Sequence, residues 1–214
     1  MRKITKGEEP AALTQWKRKH PTGRYSDLSP EERTRIRQAC VEEQHGLCAY
    51  CCHEISSDSA HNEHVEAREV APRRSLDFSN IASCNRSKQC GRAHAHQVLP
   101  LTSLMDECET ELKFYLSGRV EGLSPRAVTS IQVLNLGDCR ENNRALFGAR
   151  KSILDALLYD GGMEGDGLEV ADFDLLTLFK EELEQPDTNN RLKPFSPRSG
   201  ERDSSARRLT ASAQ

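Results

Sequence analysis

The chain has 214 residues, of which 36% are hydrophobic and 29% charged, so it can bury a modest core in one ordinary domain with appendages. Aromatic residues make up only 5%, which predicts a mainly aliphatic core. No stretch reaches the roughly 18–20 apolar residues of a transmembrane helix, and the basic start Met1–Lys6 lacks the apolar segment of a secretory signal. We therefore expect a cytoplasmic protein with no membrane association.

The net charge of -3 conceals an uneven distribution. Residues 1–40 carry ten Lys or Arg against five acids, whereas acids dominate from Asp155 to Glu184. A basic segment suits a polyanion such as nucleic acid, and an acidic segment suits a basic protein partner. A simple solvated surface is the alternative explanation for both segments.

Two helices are predicted in the N-terminal part of the chain. A short helix is expected around Ala11 to Lys19, ended by the pair His20-Pro21. The run Ser29-Pro30-Glu31-Glu32 predicts the start of a second helix that reaches Gln44, because it combines an N-cap serine, an early proline and acids in the first turn. Residues 1–45 are interpreted as a basic arm and helix.

After residue 98 the pattern becomes mainly helical through residue 184. Apolar residues at helical spacing from Leu104 to Leu112 predict one helix, and Phe114–Val120 fits a short hairpin instead. Further helices are predicted from Pro125 to Leu134, from Leu146 to Leu158 and from Phe173 to Leu183. Residues 185–214, rich in Pro, Ser, Arg and Asn, are predicted to be a disordered tail.

Residues 46–98 contain four cysteines with the spacing of a zinc site. Cys48 and Cys51 form a CxxC pair, and Cys84 and Cys90 form a second pair with five residues between them. Two such pairs in a reducing compartment favour a tetrahedral zinc site, and four thiolates leave no open position for water, so the zinc would be structural.

Two alternatives to zinc remain for these cysteines. A redox CxxC pair is possible, although no thioredoxin-like βαβ pattern surrounds it, and the thiols could also be small buried core residues. Cys52 breaks the CxxC spacing and is left out of the site. Cys40, Cys108 and Cys139 are predicted to lie on helices and in the core.

A cluster of polar residues lies between and after the cysteine pairs. It includes the run His61-Asn62-Glu63-His64, then Asn80, and finally His94 and His96. Phosphodiester hydrolysis needs a base for water and a divalent cation for the developing charge. A histidine suits the first need and a carboxylate suits the second.

This pattern resembles the HNH (ββα-metal) nuclease motif, many members of which also carry a four-cysteine zinc. The resemblance implies an α+β fold with a ββα-metal core and zinc knuckle at 46–98, flanked by helical segments. It implies that His64 is the general base, that Asn80 holds the loop and the imidazole, and that Glu63 and His94 bind catalytic Mg²⁺ or Mn²⁺. The chain departs from the motif at Gly91, where many members have histidine. If neither His94 nor His96 reaches the metal, Asn85 is the remaining candidate.

The order of motifs also resembles the PtuB-like branch of HNH proteins, found in Septu and retron-associated anti-phage systems. The resemblance is carried by Glu43–Cys51, Glu63-His64, Asn80–Cys84, Cys90-Gly91 and Val133–Leu136. It implies a PtuA-like ATPase partner, in some systems with a retron reverse transcriptase and its DNA, and a DNA or tRNA substrate. The acidic stretch from Asp155 to Glu184 is the docking surface expected for that ATPase.

Substrate contacts are expected from arginines near the polar cluster. Basic side chains neutralise backbone phosphates, so these arginines would position nucleic acid without reading its sequence. The candidates are Arg68, Arg73, Arg74, Arg86 and Arg92. The alternative function is a non-catalytic zinc ribbon that binds nucleic acid or a partner, and such a module has no chemical need for Glu63, His64 and Asn80.

Overall fold

The structure is a computed structural model that describes residues 1–87, 89–115, 117–139, 142–160, 181 and 183–195. Within these residues, helices combine with two two-stranded antiparallel sheets, which confirms the α+β class. One buried apolar cluster contains residues from Met1 to Leu146, so the N-terminal, central and C-terminal segments share a core. None of the helices described is long and apolar enough to cross a membrane.

Helices α1 (Ala11–Lys19) and α2 (Pro30–Glu43) form the N-terminal part, as predicted. At the start of α2 the N–H of Glu32 donates to the Ser29 hydroxyl, and the Glu32 carboxylate accepts from the N–H of Ser29. This capping box satisfies N–H groups that the first helical turn leaves free. Apolar side chains of both helices meet in a second buried cluster that also includes Phe78.

Strands β1 (Ala60–His64) and β2 (Ile81–Asn85) form an antiparallel hairpin with His64 opposite Ile81. The one-turn helix α3 (Gly91–His94) follows β2. Helix α2 packs against both strands. The long connection between the strands contains two 3₁₀ turns, and the central segment therefore has the order strand, strand, helix.

Strands β3 (Leu112–Phe114) and β4 (Val120–Gly122) confirm the hairpin interpretation of this region. The helix predicted from Leu104 to Leu112 is wrong, since only a 3₁₀ turn forms, at Asp106–Cys108. Hydrogen bonds to distant segments hold this part of the chain. The N–H of Ile4 donates to the Ser103 carbonyl at 2.8 Å, and the N–H of Leu101 donates to the Ser130 hydroxyl at 2.9 Å.

Helices α4 (Pro125–Leu134) and α5 (Arg144–Asp160) confirm two of the predicted C-terminal helices. Cys40 and Cys108 are buried as expected, although Cys108 lies on a 3₁₀ turn. Cys139 is exposed, which corrects the prediction of a helical core position. Helix α4 ends before it, because Asn135 adopts a left-handed conformation that closes the helix.

Residues 185–195, predicted to begin a disordered tail, form hydrogen bonds with residues 45–52, the segment that follows α2. The N–H of Leu192 donates to the His45 carbonyl at 3.0 Å, and the N–H of Phe195 donates to the Cys52 carbonyl at 2.9 Å. Most of the predicted helix from Phe173 to Leu183 and most of the acidic stretch from Asp155 to Glu184 lie outside the described residues, as do residues 196–214.

Candidate functional site

Three cysteines form a buried cluster that could hold a metal ion. The sulphur atoms of Cys48, Cys51 and Cys90 lie within 4.8 Å of one another, and each residue is at most 2% exposed. Cys48 and Cys51 come from the turn after α2, whereas Cys90 immediately precedes α3. Cys52 is buried beside them but is not part of this group.

Cys84, near the end of β2, lies beside this cluster but outside the group of three whose sulphur atoms are all within 4.8 Å of one another. Its Sγ atom lies 3.6 Å from Sγ of Cys48. Tetrahedral zinc with Zn–S bonds of about 2.3 Å requires sulphur atoms about 3.8 Å apart, so this separation fits the ion. The N–H of Asn85 donates to the Cys48 sulphur at 3.4 Å, and the N–H of Gly91 donates to the Cys84 sulphur at 3.2 Å. Such donors stabilise thiolates rather than thiols.

The electrostatics of the cluster centre on Cys48. Burial raises its pKa, but hydrogen bonds with Cys51, Cys84 and Cys90 outweigh burial and hold the pKa of the Cys48 thiol well below its ordinary value. The hydrogen bond with Cys48 raises the pKa of Cys51 well above its ordinary value, and burial does the same for the pKa values of Cys84 and Cys90. Cysteine sulphur is a ligand type that suits a soft cation.

Arg150 of α5 is a buried cation close to the cysteines, and sequence reasoning missed it. The residue is 4% exposed, and its guanidinium donates to the carbonyls of Gly118 and Leu136 at 3.1 and 2.8 Å. Burial lowers the pKa of Arg150, whereas Cys51 and two other cysteines nearby act in the opposite direction. The arginine thus lies in the field of the thiol cluster.

Glu63 and His94 form a buried carboxylate–imidazole pair. Oε1 of Glu63 lies 2.6 Å from Nδ1 of His94, which is 1% exposed. On the other side, Oε2 of Glu63 lies 3.3 Å from Nε2 of His61, and the Tyr50 hydroxyl donates to Oε1 at 3.5 Å. Burial raises the pKa of Glu63, but its hydrogen bonds with His61 and His94 lower it below the ordinary value.

Both ring nitrogens of His94 take part in hydrogen bonds. Nε2 of His94 lies 2.6 Å from the carbonyl of Gln97, and a carbonyl only accepts, so Nε2 carries the hydrogen. In neutral His94 the lone pair of Nδ1 therefore faces the Glu63 carboxylate. A separation of 2.6 Å is that of a hydrogen bond, so a proton lies between Nδ1 and Oε1, whereas a divalent ion about 2.1 Å from both atoms would hold them about 3 Å apart. The structure thus brings together the two residues that were expected to bind catalytic Mg²⁺ or Mn²⁺.

His64 follows Glu63 in β1 but lies in different surroundings. Nε2 of His64 is 2.9 Å from the Ser75 carbonyl, and its ring meets Tyr25 edge-on with 4.7 Å between centroids. Because adjacent residues of a strand point to opposite faces, Glu63 and His64 contact separate groups. The bend expected to bring both to one centre is absent within β1, which pairs regularly with β2 up to His64.

The imidazole of His64 is held in one tautomer. The Ser75 carbonyl accepts a hydrogen from Nε2, so the neutral ring has its lone pair on Nδ1. Burial is the main cause that lowers the pKa of His64 below its ordinary value, although the hydrogen bond to Ser75 opposes it. A neutral imidazole with a free Nδ1 can accept a proton from water.

Asn80 holds the backbone that follows His64. Its Oδ1 accepts from the N–H of Glu66 at 2.8 Å, its Nδ2 donates to the Glu66 carbonyl at 3.0 Å, and its own carbonyl accepts from the N–H of Val65 at 2.9 Å. The loop-holding role expected for Asn80 is thus visible in its contacts. The imidazole is oriented by Ser75 instead, which the sequence did not indicate.

Gly91 lies between the cysteine cluster and the Glu63–His94 pair. A Cβ atom at this position would lie 2.6 Å from Nε2 of His61 and closer still to Oε2 of Glu63. The absence of a side chain therefore lets Glu63 reach the start of α3. This packing accounts for glycine at a position where the HNH pattern often has histidine. His96 is exposed, and Asn85 contacts the cysteine cluster.

The five candidate arginines are placed differently from one another. Arg68, Arg73 and Arg92 are exposed. Arg74 instead forms ion pairs with Glu66 and Asp77 at 2.7 and 2.9 Å, and Arg86 donates to the Ala60 carbonyl at 2.8 Å. Arg74 therefore braces the loop after β1, which makes it a weaker candidate for phosphate contact than Arg68.

Comparison with models of known protein families and with curated proteins gives no match to this chain. The interpretation of the site therefore depends on the chemistry of its residues and on the motif pattern in the sequence.

Proposed function

We propose that this chain is a metal-dependent HNH endonuclease that hydrolyses phosphodiester bonds of DNA or RNA. The observation that carries the proposal is the buried Glu63–His94 pair, which joins β1 to the end of α3. His64, the next residue of β1, faces the other side of the strand, so in this proposal the substrate reaches both faces at the end of β1. Strand, strand and short helix follow one another here in the order of a ββα-metal core.

Each residue has a role that follows from its contacts. His64 accepts a proton from the attacking water at Nδ1, since Nε2 is already engaged with Ser75. Asn80 is a positioning residue that fixes the backbone after His64. Glu63 and His94 would hold Mg²⁺ or Mn²⁺, which supplies Lewis-acid stabilisation of the charge that develops on phosphate oxygen.

The cysteine cluster has a structural role in this proposal. Cys48, Cys51, Cys84 and Cys90 would bind one zinc ion, whose four sulphur ligands leave no position for water. The ion would tie the turn after α2 to the end of β2 and the start of α3, the elements that carry or adjoin the proposed nuclease residues. Zinc would thus stabilise the site without taking part in hydrolysis.

The resemblance to PtuB-like proteins supports a place in anti-phage defence beside a PtuA-like ATPase. In this proposal the ATPase restrains the nuclease until infection, and the acidic stretch from Asp155 to Glu184 is a docking surface for it. Charge reversal in that stretch is expected to weaken co-purification of the two proteins, and an unchanged complex would contradict the docking surface.

The test of the nuclease proposal is cleavage of plasmid DNA and tRNA with Mg²⁺ or Mn²⁺, with and without the ATPase. His64→Ala is expected to lower the cleavage rate by about 10²–10⁴-fold with unchanged zinc content, because it removes only the base. His96→Ala is the matched control, since His96 is exposed and has no assigned role.

Equal cleavage by wild type and His64→Ala would contradict the assignment of the base. If no form cuts either substrate, even with the ATPase, the non-catalytic zinc module becomes the better description.

A further inference from the structure

A cleft of about 260 Å³ lies beside His64 and has no role in the proposed chemistry so far. Its walls include Arg24, Tyr25, Arg68, Glu69 and Ser75. Ser75 also supplies the carbonyl that orients His64, and Tyr25 meets the His64 ring edge-on. A group bound in the cleft would therefore lie one side chain away from the proposed base.

Tyr25 is a fixed wall of this cleft. Its hydroxyl accepts a hydrogen bond of 2.8 Å from Nδ2 of Asn62 in β1, and the same Nδ2 donates to the Arg33 carbonyl of α2 at 2.8 Å. These bonds tie the segment after α1 to both the hairpin and α2. The wall therefore keeps its position relative to β1, on the face that also carries His64.

The charges at the cleft favour an anion. The guanidinium of Arg68 lies 5.6 Å from the centre of the Tyr25 ring, within the range of a cation–π contact. In the described part of the chain, neither Arg24 nor Arg68 forms a salt bridge, whereas nearby Arg74 forms two. Glu69 is the acid among the wall residues, and Asp27 lies near Arg24. Arg33 also approaches the Tyr25 ring, however, so the three arginines leave an excess of positive charge.

The ring of Tyr25 is less suited to stacking a nucleobase. The guanidinium of Arg33 lies 5.4 Å from its centre, in addition to that of Arg68. Both cations therefore compete with a base for the ring. Guanidinium groups bind phosphate oxygens through paired N–H donors, which makes phosphate the ligand that matches this wall.

We infer that this cleft binds a backbone phosphate of the nucleic acid next to the phosphodiester that is cut, with Arg68 and Arg24 as its donors and Tyr25 as the platform for Arg68. The inference rests on the proposed nuclease function, because it places the cleft in the path of the same substrate. It adds Arg24 and Tyr25 to the substrate-contacting surface, and neither follows from the motif pattern.

The test is binding of fluorescein-labelled single- and double-stranded DNA and RNA oligonucleotides, measured by anisotropy without added Mg²⁺ or Mn²⁺ over a range of salt concentrations. Arg68→Gln and Arg24→Gln are each expected to weaken binding several-fold. Each should also reduce the slope of the log binding constant against log salt concentration by about one, the amount expected for the loss of one phosphate contact. Arg35→Gln is the matched control, since Arg35 is an exposed arginine of α2 two residues from Arg33 and hence on another side of the helix.

Tyr25→Phe and Tyr25→Ala distinguish the contribution of the Tyr25 ring to binding from that of its hydroxyl group. The phenylalanine variant keeps the ring beside Arg68 and is expected to bind nearly as wild type, whereas the alanine variant is expected to lose affinity as Arg68→Gln does. Thermal unfolding of each variant verifies that it folds. The inference is overturned if Arg24→Gln and Arg68→Gln bind the oligonucleotides with the same affinity and salt slope as Arg35→Gln. It is also overturned if the wild-type protein does not bind them.

Cleavage assays on the same variants separate this inference from the nuclease proposal. Cleavage that depends on His64 while the cleft variants bind normally refutes the phosphate cleft alone. Binding that depends on Arg24 and Arg68, combined with cleavage that ignores His64→Ala, refutes the assigned base and leaves the cleft as a nucleic-acid site.

Discussion

Replacement of Arg150 by methionine tests whether this buried cation balances the charge of a metal-loaded cysteine cluster. A side chain that is 4% exposed loses most of its hydration, and the Arg150 guanidinium donates hydrogen bonds to two neutral carbonyls. Four thiolates around one Zn²⁺ carry a net charge of about -2, which an adjacent cation stabilises. Arg150→Met keeps most of the side-chain volume and removes the charge.

The expected magnitude follows from these contacts. The carbonyls of Gly118 and Leu136 would lose a buried donor, at about 1–3 kcal/mol each. Loss of one partner of a buried charge pair costs about 3–5 kcal/mol. These two costs overlap, because the same guanidinium supplies both the donors and the charge, so we expect the free energy of unfolding of the zinc-loaded protein to fall by about 3–5 kcal/mol. Zinc affinity is expected to fall about 10–100-fold, as for other groups that support metal ligands.

The metal-free protein should respond less, because its cysteines carry fewer negative charges near the arginine than four zinc-bound thiolates do. The assay is urea unfolding with and without zinc, together with zinc competition against a chromophoric chelator. Lys151→Met on the same helix is the control, because Lys151 is exposed and forms a surface ion pair with Asp155. This variant should change stability by less than about 0.5 kcal/mol. Equal destabilisation of both forms, with unchanged zinc affinity, would refute the counter-charge reasoning.

Cys84→Ser is expected to lower the zinc content of the purified protein while Cys52→Ser retains it, as measured by metal analysis; equal retention would remove Cys84 from the ligand set. Asn80→Ala leaves the N–H and carbonyl of Glu66 without side-chain partners, so we expect the free energy of unfolding in urea to fall by about 1–3 kcal/mol per group. An unchanged urea midpoint would contradict the loop-holding role of Asn80. Gly91→Ala is expected to weaken Mn²⁺ binding in calorimetry, because its Cβ displaces the Glu63 carboxylate; wild-type affinity would show that the carboxylate can relax.

Local chemical signals account for the elements that could be predicted from the sequence. The Ser29 cap and the CxxC pair act within a few residues of their own positions, so helix α2 and the first two cysteines of the cluster follow directly from the chain. The helix expected from Leu104 failed because the apolar spacing is shared by a segment that distant hydrogen bonds hold in another conformation. Tertiary contacts of this kind leave no periodic pattern.

The supporting residues of the site could not be predicted for the same physical reason. Ser75 orients His64 through a backbone carbonyl, which any residue possesses, and Tyr25 reaches Asn62 only after α1 and β1 are packed together. Arg150 resembles an ordinary helix residue until the backbone at Gly118 and Leu136 and the nearby cysteines surround it. The pairing of Arg74 is the exception, because Asp77 lies three residues away and could have indicated it.

Gly91 shows how the two proposed metal centres depend on each other. Its N–H donates to the Cys84 sulphur at 3.2 Å, while its Cα leaves room for Oε2 of Glu63. A zinc ion on the cysteines would fix the backbone at the start of α3, and that helix ends at His94, the partner of Glu63. Loss of zinc should therefore disturb the Glu63–His94 pair before it disturbs His64, which is held from the opposite face of β1 by Ser75.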